Sequence, residues 1–165
     1  MIERYWEEKA DKLLLLGDIL YHGPRNDLPR DYAPKRVIEM LNNMREQLLC
    51  IRGNCDCEVD QMVLQFPIMA DYAALWLNGH MVWATHGHVY NMDNHPPFQK
   101  GDILLHGHTH IPAAQQFEDG YYYINPGSVS IPKAGSRNSY MVLEGSTFTL
   151  KAIEDGSVIS SFTVE

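Results

Sequence analysis

The sequence predicts an α/β fold in which two β-sheets pack face to face with helices on the outer faces. Short all-apolar runs of the kind buried within a sheet recur along the chain. A stretch of helical periodicity lies between such runs in the first half, whereas two-residue turn signals flanked by strand-like segments fill the second. Helices early and hairpins late are satisfied by two packed sheets with helices outside.

Taken in order, Leu13 to Leu16 is the first all-apolar run and reads as a strand buried on both faces. Gly23 to Pro34, with three prolines and mixed charges, reads as a loop. Pro34 opens a helix that carries Val37, Ile38, Leu41 and Met44 at helical spacing. Leu48 to Ile51 is a second strand, and a helix from Glu58 to Phe66 stops at Pro67. Asn78-Gly79 joins Ala73–Leu77 to Met81–Ala84 as a hairpin. Ile103 to Leu105 is another buried strand. Asp119-Gly120 and Glu144-Gly145 mark two further hairpins, the second joining Met141–Leu143 to Phe148–Ile153. Val158 to Val164 closes the chain as a strand. No repeat, low-complexity tract or linker interrupts the sequence, so residues 1–165 are expected to form one domain.

Size and composition narrow the function. At 165 residues and 18.9 kDa the chain is long enough to bury a core. Thirteen basic against twenty-one acidic residues give a formal charge of -8, which argues against an extensive nucleic-acid surface or capture by anionic membrane. A small phosphorylated substrate is compatible with that charge, because a bound metal reverses the local field. No apolar run is long enough to span a membrane. The first residues, Met1 to Glu8, lack the apolar core of a secretion signal. Cys50, Cys55 and Cys57 form an odd, closely spaced set unlike a disulfide framework, and reduced thiols in the cytoplasm are the simplest reading. A homo-oligomer is left open.

Seven of the eight histidines fall between His80 and His110. Four apolar runs end alike: Leu13–Leu16 in Gly17-Asp18, Leu48–Ile51 in Arg52-Gly53-Asn54-Cys55-Asp56, Met81–Ala84 in Thr85-His86-Gly87-His88, and Ile103–Leu105 in His106-Gly107-His108-Thr109-His110. Each places a polar donor just past a strand, where the functional groups of open α/β sheets collect. Carboxylate, carboxamide and imidazole suit Mn, Fe, Zn, Ni or Co. Two such ions can clamp a phosphoryl group and activate water. Singly the signals are weak, since Gly-Asp and Gly-Asn are turn formers. In extended backbone, His108 and His110 would point the same way. His106 is expected to pack at a strand end, His22 and His80 to be exposed, and Tyr121-Tyr122-Tyr123 to be a strand with mixed faces. Too few cysteines are present for a zinc–thiolate cluster, so Cys50 reads as core and Cys55 as the one thiol near the proposed metals.

Five ordered stretches, 16–26, 52–56 (Arg-Gly-Asn-Cys-Asp), 85–88 (Thr-His-Gly-His), 107–110 (Gly-His-Thr-His) and 125–133 (Asn-Pro-Gly-Ser-Val-Ser-Ile-Pro-Lys), resemble the calcineurin-like metallophosphoesterase superfamily. The resemblance is to its small bacterial phosphodiesterase branch. It implies an α/β/β/α sandwich and hydrolysis of a phosphodiester or phosphomonoester by metal-activated hydroxide, with Mn²⁺ as the first choice of metal. It further implies that Asp18 bridges two metals, that Asn54, His86 and His108 complete one site, and that His110 belongs to the other. Cys55 stands where most relatives have a histidine, which implies phosphate contact rather than proton transfer. His88 is expected either to contact substrate or to pack in its loop.

The resemblance also implies an opening strand ending in Asp-x-His. Only seventeen residues precede Asp18, and Met1 to Ala10 reads as the tail of the helix that follows such a strand. On that reading the fold is N-terminally incomplete, with exposed pairing edges. The His110 metal site then has fewer ligands, and one metal rather than two is held. Two alternatives follow: a non-catalytic protein-interaction module on this scaffold, or a fragment inactive because one metal site is incomplete.

Overall fold

A computed structural model describes all of residues 1–165. Helix α1 (Ile2–Glu8) leads into β1 (Leu13–Leu15). Helix α2 (Pro34–Asn42) starts at the expected proline and turns Leu41 into the core, with Val37 and Ile38 beside it. Strand β2 (Leu48–Cys50) pairs in parallel with β1, Leu14 opposite Leu49. Because β1 pairs on one side only, its three leucines are half-buried rather than enclosed on both faces as expected.

Helix α3 (Glu58–Val63) ends before the expected Phe66, with Leu64 already extended. Gln61 supplies the reason. Its Nε2 donates to the carbonyls of Leu64 and Phe66, each at 3.0 Å, and its Oε1 accepts from the Ile68 N–H at 2.9 Å. The side chain thus satisfies backbone groups that the open end of the helix leaves free.

The second half is built as read. Strands β3 (Tyr72–Leu77) and β4 (His80–Thr85) are joined by Asn78-Gly79, both at positive φ, the backbone of a tight hairpin turn. Strand β5 (Ile103–His106) runs parallel to β4, and β7 (Tyr122–Asn125) runs parallel to β5. Strand β6 (Ala113–Gln116) lies antiparallel on the far side of β7, giving the order β3-β4-β5-β7-β6. Strands β8 (Ser139–Glu144), β9 (Thr147–Ala152) and β10 (Val158–Thr163) form a separate antiparallel sheet. Its first hairpin turns on Gly145-Ser146, one residue later than expected, because Glu144 still pairs with Thr147.

Two apolar clusters hold these parts together. Val82, Ile103 and Ile124 of the five-stranded sheet meet Phe148 of the three-stranded one and Val164 just past β10, the face-to-face packing expected of the sandwich. Leu20, Leu41, Cys50, Phe66 and Ile68 form a second core between β1–β2 and the helices. The facing layer is therefore split into two ladders, β1–β2 and β8–β10, that share no hydrogen bonds. Tyr122 and Tyr123 are both buried, on opposite faces of β7. His22 and His80 are half-buried, not exposed: His22 lies between the rings of Tyr21 and Tyr32, and His80 Nδ1 is 2.8 Å from the Gly101 carbonyl. No helix is long and apolar enough to cross a membrane.

Candidate metal centre

Four strand ends converge. The loops after β1 and β2 interlock through their glycines: a Cβ on Gly17 would lie 2.3 Å from the Gly53 nitrogen, and a Cβ on Gly53 would lie 2.1 Å from Asp18 Oδ1. Only glycine at both positions lets the backbones approach so closely. Asp56, unremarked in the sequence beyond its motif, fixes the approach. Its buried carboxylate accepts the N–H groups of Asp18 (2.8 Å), Ile19 (2.9 Å) and Gly53 (2.7 Å). Asp18 in turn accepts the Cys55 N–H at 2.8 Å.

Around His86 the donor atoms close up. Its Nε2 is 3.1 Å from Asn54 Oδ1, 3.1 Å from His108 Nδ1 and 3.4 Å from Asp18 Oδ2. The ligand atoms of Asp18, His86 and His108 all lie within 4.8 Å of one another. On the other side of the ring, His86 Nδ1 is 2.5 Å from the Leu16 carbonyl. A carbonyl only accepts, so Nδ1 carries the proton and the Nε2 lone pair faces the cluster, the arrangement usual for metal-ligating histidine. The donor set of carboxylate, carboxamide and two imidazoles fits a divalent transition ion.

The electrostatics agree with that geometry. Burial opposes charge on Asp18, but His86 and the Cys55 N–H hold its carboxyl below the usual range. Burial likewise opposes charge on His86, yet Asp18 and the Leu16 carbonyl raise its pKa. Proton and metal therefore compete for one lone pair. Burial and the neighbouring His86 push His108 down to about 4, leaving it neutral and free to ligate at pH 7.

His108 and His110 are not in extended backbone, as the sequence suggested. Both adopt left-handed conformations, φ 59° and 61°, as does Asp18 at 56°. Such strain in non-glycine residues concentrates at functional sites. The twist separates the two rings: His108 joins Asp18 and His86, while His110 stays outside that cluster. His110 Nδ1 lies 2.9 Å from the Ile131 carbonyl, so its Nε2 lone pair is free, and the residue lines a cavity of about 380 Å³ shared with Asp18, Asn54, Cys55 and His108. Burial, then Asp18, pushes the Cys55 thiol up to about 11, so it is a neutral thiol at pH 7. His88 is exposed, its ring 5.3 Å from that of His86. His106 packs on Tyr123 at the strand end, as expected.

A family model for the calcineurin-like phosphoesterase superfamily domain matches residues 1–147. The chain belongs to the calcineurin-like phosphoesterase superfamily. It is 42% identical over 164 residues to phosphodiesterase YfcE of Escherichia coli strain K12, a match spanning 99% of this chain and 89% of the relative. The solved structure of that phosphoesterase superposes with a TM-score of 0.95, covering 99% of this chain and 90% of the other. Vacuolar Protein Sorting 29 from Cryptosporidium parvum shares the fold, with a TM-score of 0.57 at 20% identity and coverage of 98% and 88%. The superfamily placement makes the chain a phosphoesterase, and the sandwich expected from its sequence is the superfamily fold.

Proposed function

We propose that this chain hydrolyses small phosphodiesters or phosphomonoesters in a reaction that depends on a divalent metal, with Mn²⁺ the first candidate. The single observation carrying the reading is the convergence of Asp18 Oδ2, Asn54 Oδ1, His86 Nε2 and His108 Nδ1. These four residues would hold the ion. A divalent cation bound there supplies Lewis acidity toward a phosphoryl oxygen and lowers the pKa of water.

The remaining roles fall to the walls of the cleft. His110, with its Nε2 free and facing the cavity, is the protein ligand nearest to hand for a second ion alongside Asp18. Cys55 keeps its proton, which suits hydrogen bonding to a phosphoryl oxygen and not general base catalysis. His88, exposed beside His86 and His108, would serve in substrate contact. Asp18 Oδ2 lies 3.4 Å from His86 Nε2, placed to share an ion with it, while Oδ1 is held by the Cys55 amide.

The test is turnover of bis(p-nitrophenyl) phosphate by Mn²⁺-reconstituted protein, with elemental analysis of the same sample. His108→Ala is expected to lower turnover at least a hundredfold and to reduce bound metal. Equal turnover and equal metal in both proteins would sink the proposal.

A further inference from the structure

Arg25 and Lys133 both line the cavity, and neither pairs with a carboxylate. In a chain of net charge -8, the cavity's one carboxylate is Asp18, which faces the histidines. The two cations reach it from different walls. Lys133 stands on the His110 side, where its N–H donates to the His110 carbonyl at 3.1 Å and its own carbonyl accepts from Ser136 N–H and Oγ at 3.0 and 2.7 Å. The His110 Nδ1 contact with Ile131 locks the same loop from the ring side. Arg25 stands on the Cys55 side. There Gly23 runs so close to the thiol that a Cβ would lie 3.1 Å from Sγ, and Asn26 Nδ2 donates to the His22 carbonyl at 2.6 Å. Only one of the eleven lining residues is hydrophobic, so the cavity offers charge and hydrogen bonds but no apolar shelf.

We propose that Arg25 and Lys133 form a two-walled anion clamp that binds the phosphoryl oxygens of the substrate and sets the cleft's preference for small, hydrophilic phosphate esters. The inference rests on the phosphoesterase reading of this cavity and adds the residues that recognise the anion. Arg25 supplies a planar fork that can grip two oxygens, whereas Lys133 acts as an anchored point charge. Their positive potential offsets the repulsion that an acidic protein exerts on an anionic ester.

Inorganic phosphate is the probe, titrated by calorimetry into Mn²⁺-loaded wild type, Arg25→Gln, Lys133→Gln, Lys133→Arg and Lys100→Gln. Lys100 precedes β5, at the end of that strand remote from the cavity, and controls for the change in net charge. The phosphate Kd is expected to rise at least tenfold in Arg25→Gln and Lys133→Gln and to be largely restored in Lys133→Arg, with Lys100→Gln unchanged. Metal content and Tm should stay at wild-type values, and KM for an ester should rise more than kcat falls. Unchanged phosphate Kd in both clamp variants, or an equal loss in Lys100→Gln, overturns the clamp. If wild type binds phosphate through these residues but hydrolyses no ester, the catalytic reading fails and the clamp stands. If esters turn over with KM indifferent to both residues, the clamp fails and the catalytic reading stands.

Discussion

The Asp56 carboxylate accepts the backbone N–H of Asp18 at 2.8 Å, joining residues 38 apart at the point where two strand ends meet. Asp56 is only 2% exposed and accepts two further amides, from Ile19 and Gly53. It touches no other candidate ligand side chain through these bonds, so its effect on the centre runs through the backbone of Asp18. Asp56→Asn keeps the shape but turns an NH2 group toward one or more N–H donors. A buried donor left without an acceptor costs about 1–3 kcal/mol, more where the lost acceptor is charged. The variant is expected to melt about 2–12 °C lower and to hold less Mn²⁺. A melting curve within 1 °C of wild type, at full metal occupancy, would show that Asp56 positions nothing.

Gly53 offers a separate test of the same junction. A methyl group there meets Asp18 Oδ1 at 2.1 Å and the Asp18 nitrogen at 2.3 Å, and the nitrogen is backbone that cannot swing aside. Gly53 is not in the left-handed region, so a substitution acts by contact rather than by backbone strain. Gly53→Ala is expected to reduce turnover about a hundredfold, the loss typical of displacing a positioned group by an ångström. Gly79→Ala reverses the logic. Gly79 has φ 91° and nothing near a new Cβ, so the variant should lose about 1 kcal/mol of stability and keep its activity. Parallel melts and assays separate the two effects, and equal activity in both variants would refute the interlock.

How much of this was legible beforehand depended on the range of the interaction. The strand ends at Asp18, Asn54, His86 and His108 were readable because apolar runs punctuated by glycine are local patterns. The Asn78-Gly79 hairpin was readable because a two-residue turn nearly dictates its residues. Asp56 was not legible, since an aspartate after Gly-Asn-Cys looks like turn chemistry and two of its three amide partners lie far upstream. The end of α3 depended on Gln61 reaching past its own helix, which periodicity does not encode. The left-handed backbone of His108 and His110 was hidden for a related reason. Neither residue type requires it, and what surrounds it is tertiary: the Ile131 carbonyl on one ring and His86 on the other. The convergence of Arg25 and Lys133 likewise joins loops more than a hundred residues apart.

Away from the centre, Glu8 predicts a pH dependence of stability. Its carboxylate accepts from Tyr140 Oη at 2.6 Å and pairs with the Lys151 ammonium, docking α1 on β8 and β9. Burial opposes the charge, but these hydrogen bonds outweigh it and hold the pKa below the ordinary value. The folded state therefore binds this proton less readily than the unfolded one. Its contribution is complete above the unfolded pKa of about 4.3 and is lost as pH falls through the lower folded value. Glu8→Gln should cost about 1 kcal/mol at pH 7. Urea melts at pH 7 and pH 3 check this: the gap between wild type and variant should narrow in acid, and a constant gap would disprove the linkage.

Asn125 governs the loop that presents His108 and His110. It is 0% exposed, and its Nδ2 lies 2.9 Å from the Gly107 carbonyl and 3.0 Å from both Thr109 Oγ1 and Tyr123 Oη, while its Oδ1 accepts the Gly127 N–H at 2.9 Å. The amide thus ties the end of β7 to residues on either side of His108. Asn125→Asp is the sharpest probe, because it preserves volume and the acceptor for Gly127 but replaces the donor with a second acceptor. A carboxylate facing the Gly107 carbonyl must either carry a proton or repel it, and Thr109 and Tyr123 can relieve this only by turning their hydroxyls. The expected cost is about 2–4 kcal/mol. Because the strained His108 backbone relies on this bracing, metal affinity should fall by at least tenfold as well. Raising the proton concentration should partly rescue stability by protonating the new carboxyl, so the deficit relative to wild type is expected to shrink between pH 8 and pH 5. A deficit independent of pH would mean that the Asn125 donor is not what holds the loop.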